Sequence, residues 1–137
     1  MSEIISWDDK YLIGFEAIDL QHKKSVEHLN SYYELLVSRQ ENNVIDNEIN
    51  TMLNVLVEYS NYHFSEEEEI MNSIEGVDFS SHFEEHNGFR LRISEFKAKM
   101  SLGEDISYEL FYFMKDWLLT HILFSDQKIG KLHNKDT

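Results

Sequence analysis

Apolar side chains recur along this chain in steps of three and four residues, the period of a helix with one buried face. Four such stripes can be traced. The first starts near Asp19, a suitable N-cap, and runs through His22, Val26, Leu29, Tyr33 and Leu36. The second follows Asn42-Asn43 and takes in Ile45, Ile49, Met52, Leu56, Tyr59, His63, Glu67 and Ile70. The third follows Gly76-Val77-Asp78 and takes in Phe79, His82, His86, Phe89, Ile93, Phe96 and Met100. The fourth follows Gly103-Glu104-Asp105 and takes in Ile106, Leu110, Phe113, Trp117, His121 and Phe124. Short polar breaks between long helical segments favour antiparallel neighbours. The pattern therefore predicts an all-α fold. One domain over residues 1–137 would hold an antiparallel up-down-up-down four-helix bundle at about 19–133, behind an N-terminal arm at about 1–18.

Composition narrows the reading. There is no proline, which suits helices over a chain of many turns, and hydrophobic residues at 42% supply a core. Lys plus Arg number 12 against 26 for Asp plus Glu, a formal net charge of -14. Such a surface repels phosphate backbones and anionic headgroups, so neither nucleic acid nor a membrane is the expected partner. Cysteine is absent, which rules out disulfides, thiolate zinc sites and iron–sulfur clusters. The opening MSEIISWDDK lacks the basic and apolar regions of a secretory signal. The apolar run from Trp117 to Phe124 is interrupted by Thr120 and His121 and is too short to span a bilayer. A cytoplasmic location is expected.

The stripes themselves carry the chemistry. Five of the seven histidines, together with Glu67, lie on faces that should be buried. An unpaired polar group in a core costs roughly 1–3 kcal/mol, so each needs a partner. A lone histidine on such a face is most often a hydrogen-bonded core residue. Five of them, spread over four helices, are satisfied together by a shared metal. His63 and Glu67 are one helical turn apart, as are His82 and His86, so each pair aims into one volume. His121 and Asp126 are five apart. Asp126 falls on the adjacent line of Leu118, Ile122 and Ile129, so the fourth helix should turn a broad face inward. His28 lies well around the first helix from His22 and should be exposed, and His133 is near the C-terminus; neither is a candidate ligand. Of the run Glu66 to Glu69, only Glu67 sits on the stripe, and the rest read as a solvated face.

In order along the chain these segments are Ile18-Asp19-Leu20-Gln21-His22, His63-Phe64-Ser65-Glu66-Glu67, His82-x-x-x-His86 and Trp117-Leu118-Leu119-Thr120-His121-Ile122-x-x-x-Asp126. With Trp7 and Gly14 in the arm, the chain resembles the hemerythrin family over nearly its whole length, the single-domain bacterial type in particular. The resemblance implies two iron ions joined by an oxo or hydroxo bridge. His82, His86 and His121 would bind one iron, His22 and His63 the other, with Glu67 and Asp126 bridging them. A ligand count agrees: those residues and the bridge leave one position of two six-coordinate irons open, on the iron with two histidines. An open position on reduced iron is what dioxygen requires. Trp117, Leu118 and Ile122 match the family's apolar oxygen pocket. Ser25 departs from it, standing where a leucine is usual, and Val77 replaces a common aromatic.

The leading function is reversible dioxygen binding, for carriage, storage or sensing, by a binding protein and not an enzyme. The alternatives are a di-iron oxidase, peroxidase or nitric-oxide-handling enzyme, and iron storage or sensing. Ferritin-like di-iron enzymes use Glu-x-x-His motifs, and no histidine here has a glutamate three residues before it. A histidine-rich set carries less negative charge and favours ferrous iron.

Overall fold

A computed structural model describes residues 4–42 and 46–135, with side chains over 4–39 and 48–132. Asn43, Ile45 and the side chain of His133 lie outside the described residues. Helix α1 spans Glu16–Asn42, α2 Asp46–Ser73 and α3 Ser80–Ser101. The fourth rod is composite: α4 (Ser107–Thr120) runs through a π-helical turn (His121–Asp126) into α5 (Gln127–Lys135). Each rod packs on the next and α4 closes the ring on α1, which is the expected four-helix bundle. No strand occurs among the described residues. Nor is any of their helices long and apolar enough to cross a membrane.

The stripes bury much as their period requires. Val26, Leu29, Leu36, Ile49, Leu56, Phe89, Ile93, Phe96 and Leu110 form one continuous core. In α1 the fully buried ring is Tyr32, while Tyr33 is only half-buried and packs against Phe111. The helix ends follow local chemistry. Asp78 Oδ1 accepts the Ser80 N–H at 2.9 Å at the start of α3. Gly103, at φ 88°, ends α3 in the left-handed conformation that glycine adopts without penalty.

The N-terminus of α1 differs from expectation. The helix begins at Glu16, three residues early, so Asp19 lies inside the first turn and is not the N-cap. Its carboxylate reaches back instead to the arm, accepting from Ile13 N at 2.8 Å and Gly14 N at 3.2 Å. Asn30 holds the arm further up: it accepts from Ile5 N at 3.0 Å and donates to Ile5 O at 2.9 Å. Gln127 Nε2 donates to Lys10 O and Leu12 O from the far side. The arm thus straps the end of the bundle where the π-helical turn sits. At Gly130 the strap passes so close that a Cβ would overlap the Ile13 carbonyl. Gly130→Ala should therefore lift the arm or strain α5, at a cost of roughly 1–3 kcal/mol, the usual range for overpacking. A denaturant midpoint equal to the parent's would show that the strap yields freely.

The π-helical turn also revises the fourth stripe. Its hydrogen bonds run from i to i+5, so each turn holds an extra residue and residues five apart come into line. His121 and Asp126 therefore share one face, where an α-helical count puts them on adjacent lines. Phe124, expected on the core stripe, is rotated outward and is 75% exposed.

Candidate metal centre

Seven side chains from the four rods converge in the bundle core: His22 from α1, His63 and Glu67 from α2, His82 and His86 from α3, His121 and Asp126 from the π-helical turn. Their relative exposures run from 0% to 5%, so the assembly is sealed from bulk water. The two carboxylates lie at the middle. Asp126 Oδ1 is 3.0 Å from both His82 Nε2 and His121 Nε2, and its Oδ2 is 2.9 Å from His22 Nε2. Glu67 Oε1 is 2.8 Å from His63 Nε2 and 3.7 Å from His86 Nε2, and its Oε2 is 3.9 Å from His82 Nε2. Two donor sets result, each with its atoms within 4.8 Å of one another. One holds His82, His86 and His121, the other His22 and His63; Glu67 and Asp126 belong to both.

Short distances do not make these groups hydrogen-bond partners. Both oxygens of Glu67, both of Asp126, and the Nε2 atoms of His22, His63 and His82 are buried with no hydrogen bond. His86 Nε2 faces His121 Nε2 at 3.1 Å, lone pair to lone pair unless one ring carries a proton on Nε2. Such atoms would be costly left alone, and a cation between them satisfies all at once. The electrostatics agree. Burial and the imidazoles of His121 and His82 press His86 down to about 2. Burial and His22 hold His63 well below the usual histidine range. Burial and the neighbouring Asp126 push Glu67 well above the carboxylate range. Burial opposes charge on Asp126 too, but the facing imidazoles, His121 foremost, outweigh it and hold Asp126 well below that range. His121 likewise loses hydration on burial, yet Asp126 and Glu85 raise it. Imidazole Nε2 atoms facing a shared pair of carboxylates are the donor set a two-cation site needs.

Comparison with known proteins decides the family. A profile described as "Hemerythrin HHE cation binding domain" matches residues 13–132. The chain is 32% identical over 124 residues to a bacteriohemerythrin of Stenotrophomonas maltophilia, covering 90% of this chain and 78% of the relative. A bacteriohemerythrin of Clostridium acetobutylicum is 31% identical over 127 residues, covering 89% and 95%. A myohemerythrin of Theromyzon tessulatum is 28% identical over 131 residues, covering 95% of each chain. The chain belongs to the hemerythrin family. No solved structure matches it significantly.

Around this hemerythrin centre lie groups that the stripes did not mark. Gln21 Oε1 is 2.7 Å from His63 Nδ1, Glu68 Oε2 is 2.8 Å from His86 Nδ1, and Glu85 Oε1 is 2.9 Å from His121 Nδ1. Glu68 is thus not part of a solvated face, because α3 packs over it and Arg90 Nη1 holds the same Oε2 at 3.3 Å. Phe64 stacks on His86 with centroids 4.2 Å apart, and Trp117 stacks on His121 at 4.4 Å, so both rings are fixed by packing as well. His28 corrects another expectation. It is half-buried, edge-on to Tyr59 at 5.1 Å, because α2 covers that side of α1, and burial lowers its pKa. It belongs to neither donor set.

A cavity of about 20 Å³ abuts His63, lined chiefly by apolar side chains that include Leu29, Phe64 and Met114. Of the residues expected in an oxygen pocket, Ser25, Trp117 and Leu118 line it. Ile122 does not line it, being fully buried elsewhere in the core. Ser60 contributes a second hydroxyl, committed to the Leu56 carbonyl at 2.9 Å.

Proposed function

We propose that the protein binds dioxygen reversibly at a di-iron centre, as a carrier or store and not an enzyme. His82, His86 and His121 would hold one iron, His22 and His63 the other, and Glu67 and Asp126 would bridge them. The observation that carries this reading is the cavity against His63, on the side of the donor set with fewer histidines. There a small apolar ligand has a place to lie. The relatives named bacteriohemerythrin and myohemerythrin support the same function. When bound, the two ferrous ions would supply the electrons that hold dioxygen. The protein's own part is to present Nε2 donors, to keep bulk water out with Phe64, Trp117 and Leu118, and to leave one small space open. Anaerobic reduction followed by repeated addition and removal of oxygen tests this. Optical spectra should cycle, with two irons per chain by metal analysis. Immediate irreversible oxidation would support an oxidase or peroxidase instead.

Ser25 governs how long that cycling lasts. A cavity of about 20 Å³ exceeds the roughly 10–15 Å³ a water molecule needs, and the Ser25 hydroxyl gives such a water a polar contact beside His63. Water there can deliver protons and hasten irreversible oxidation. Ser25→Leu replaces that polar contact with apolar surface and should prolong reversible oxygen uptake by up to about tenfold, the scale of one hydrogen bond. Iron content should not change. A leucine variant that oxidises as fast as its parent, measured by slow spectral decay in air, would sink the water-access idea.

A further inference from the structure

The two donor sets differ in what stands behind their imidazoles. His86 Nδ1 lies 2.8 Å from a carboxylate oxygen of Glu68, and His121 Nδ1 lies 2.9 Å from one of Glu85. His63 Nδ1 meets only the neutral amide oxygen of Gln21, at 2.7 Å. His22 Nδ1 is buried with no hydrogen bond at all. The carboxylates thus stand on one side of the centre only, behind two of the three histidines in the larger set.

A ring that offers its Nε2 lone pair to a cation carries its proton on Nδ1, and donates it outward where an acceptor stands behind the ring, as it does at His63, His86 and His121. A carboxylate acceptor draws that proton strongly and leaves negative charge on the ring, which becomes a stronger donor to a cation at Nε2. An amide does this weakly. Both carboxylates are fixed in place: Arg90 Nη1 lies 3.3 Å from Glu68 Oε2, and Ser125 Oγ donates to Glu85 Oε1 at 2.6 Å. Each is also partly shielded, with side-chain exposures of 19% and 42%. We propose that Glu68 and Glu85 are positioning residues that tune the redox asymmetry of the centre. They bias the three-histidine half toward the ferric state and leave the half built on His22 and His63 the easier one to keep ferrous.

The inference rests on the di-iron reading, and its test separates the two. Iron-loaded parent, Glu68→Gln, Glu85→Gln and the double variant are titrated against a poised series of redox mediators and followed optically, with iron content measured on the same samples. Glutamine keeps size and shape while weakening the acceptor. The double variant should raise the lower-potential couple by at least a tenfold change in its ferric-to-ferrous ratio, about 59 mV for one electron. The higher-potential couple should move less. Glu84→Gln, at an exposed neighbour of Glu85 on α3, removes one charge as each single variant does and should leave both couples nearly unmoved. Gln21→Glu gives His63 the missing carboxylate and should lower the higher-potential couple. A double variant that shifts no more than Glu84→Gln, or that shifts both couples alike, overturns the inference alone. A parent that binds fewer than two irons brings down the di-iron reading and the inference with it.

Discussion

Glu67→Ala should strip the protein of both metal ions, and Asp126→Ala should do the same. Each carboxylate faces both donor sets. Glu67 lies 2.8 Å from His63 on one side and 3.7 Å from His86 on the other. Asp126 lies 2.9 Å from His22 and 3.0 Å from both His82 and His121. Loss of either removes charge and a donor from two cations together, and leaves five imidazoles with one carboxylate. Disturbing a group behind a metal ligand already costs about 10–100-fold in affinity. Removing a shared ligand should cost more than about 100-fold, enough to give well under one ion per chain after desalting. His22→Ala provides the contrast. It leaves the set of His82, His86 and His121 whole, so one-iron species should survive. His28→Ala, outside both sets, should leave metal content unchanged. Metal analysis with circular dichroism, to show that each variant folds, checks the series. Glu67→Ala holding two irons would refute the bridging role.

How far the chain itself revealed this centre varies by residue, for physical reasons. His22, His63, Glu67, His82, His86 and His121 were legible because an α-helix repeats every 3.6 residues and each sits on an apolar stripe. Periodicity put Asp126 on an inward line beside that of His121, and its role as a ligand was legible only through family resemblance. Its alignment with His121 depends on a π-helical turn, and no local residue pattern announces that extra residue per turn. The same turn misplaced Phe124, which periodicity puts inside and the structure puts in water. Glu68 and Glu85 escaped for another reason. Both sit at the edge of a stripe and look solvated, and their burial depends on partners in other helices. Gln21, beside His22 in the matching segment, was in view without a role. A useful signal exists in hindsight: an imidazole held at Nε2 needs an acceptor at Nδ1, so polar residues flanking a ligand helix are worth testing. The arm shows the limit of capping rules. Asp19 has the right chemistry for an N-cap, but it spends its carboxylate on Ile13 and Gly14, and the helix starts earlier.

Removing the metal should cost the fold more than any single substitution outside the centre. Without a cation, Glu67 and Asp126 remain fully buried side by side, Glu67 driven toward its protonated form by burial and by Asp126. Four carboxylate oxygens and three Nε2 atoms are then left without hydrogen bonds at the middle of the bundle. Orphaned buried groups of this kind cost roughly 1–3 kcal/mol each before relaxation. Water entry or a shared proton will recover part of that. A cation bound only by the native state adds stability by mass action, about 4 kcal/mol when free metal stands a thousandfold above Kd. For a chain of this size, about 4 kcal/mol lowers Tm by about 15 °C. The loss should not be uniform. α1, α2, α3 and α4 keep their shared apolar core, whereas the π-helical turn, anchored there by Ile122, carries both His121 and Asp126 and so loses two metal contacts at once. Hydrogen exchange in the metal-free protein should therefore quicken first over 121–135 and in the arm strapped against it. Thermal unfolding by circular dichroism, with and without chelator, measures the first effect, and exchange mass spectrometry the second. Equal melting temperatures for the two forms would mean that the donor sets are held apart by packing alone, and the metal would then have no part in the fold.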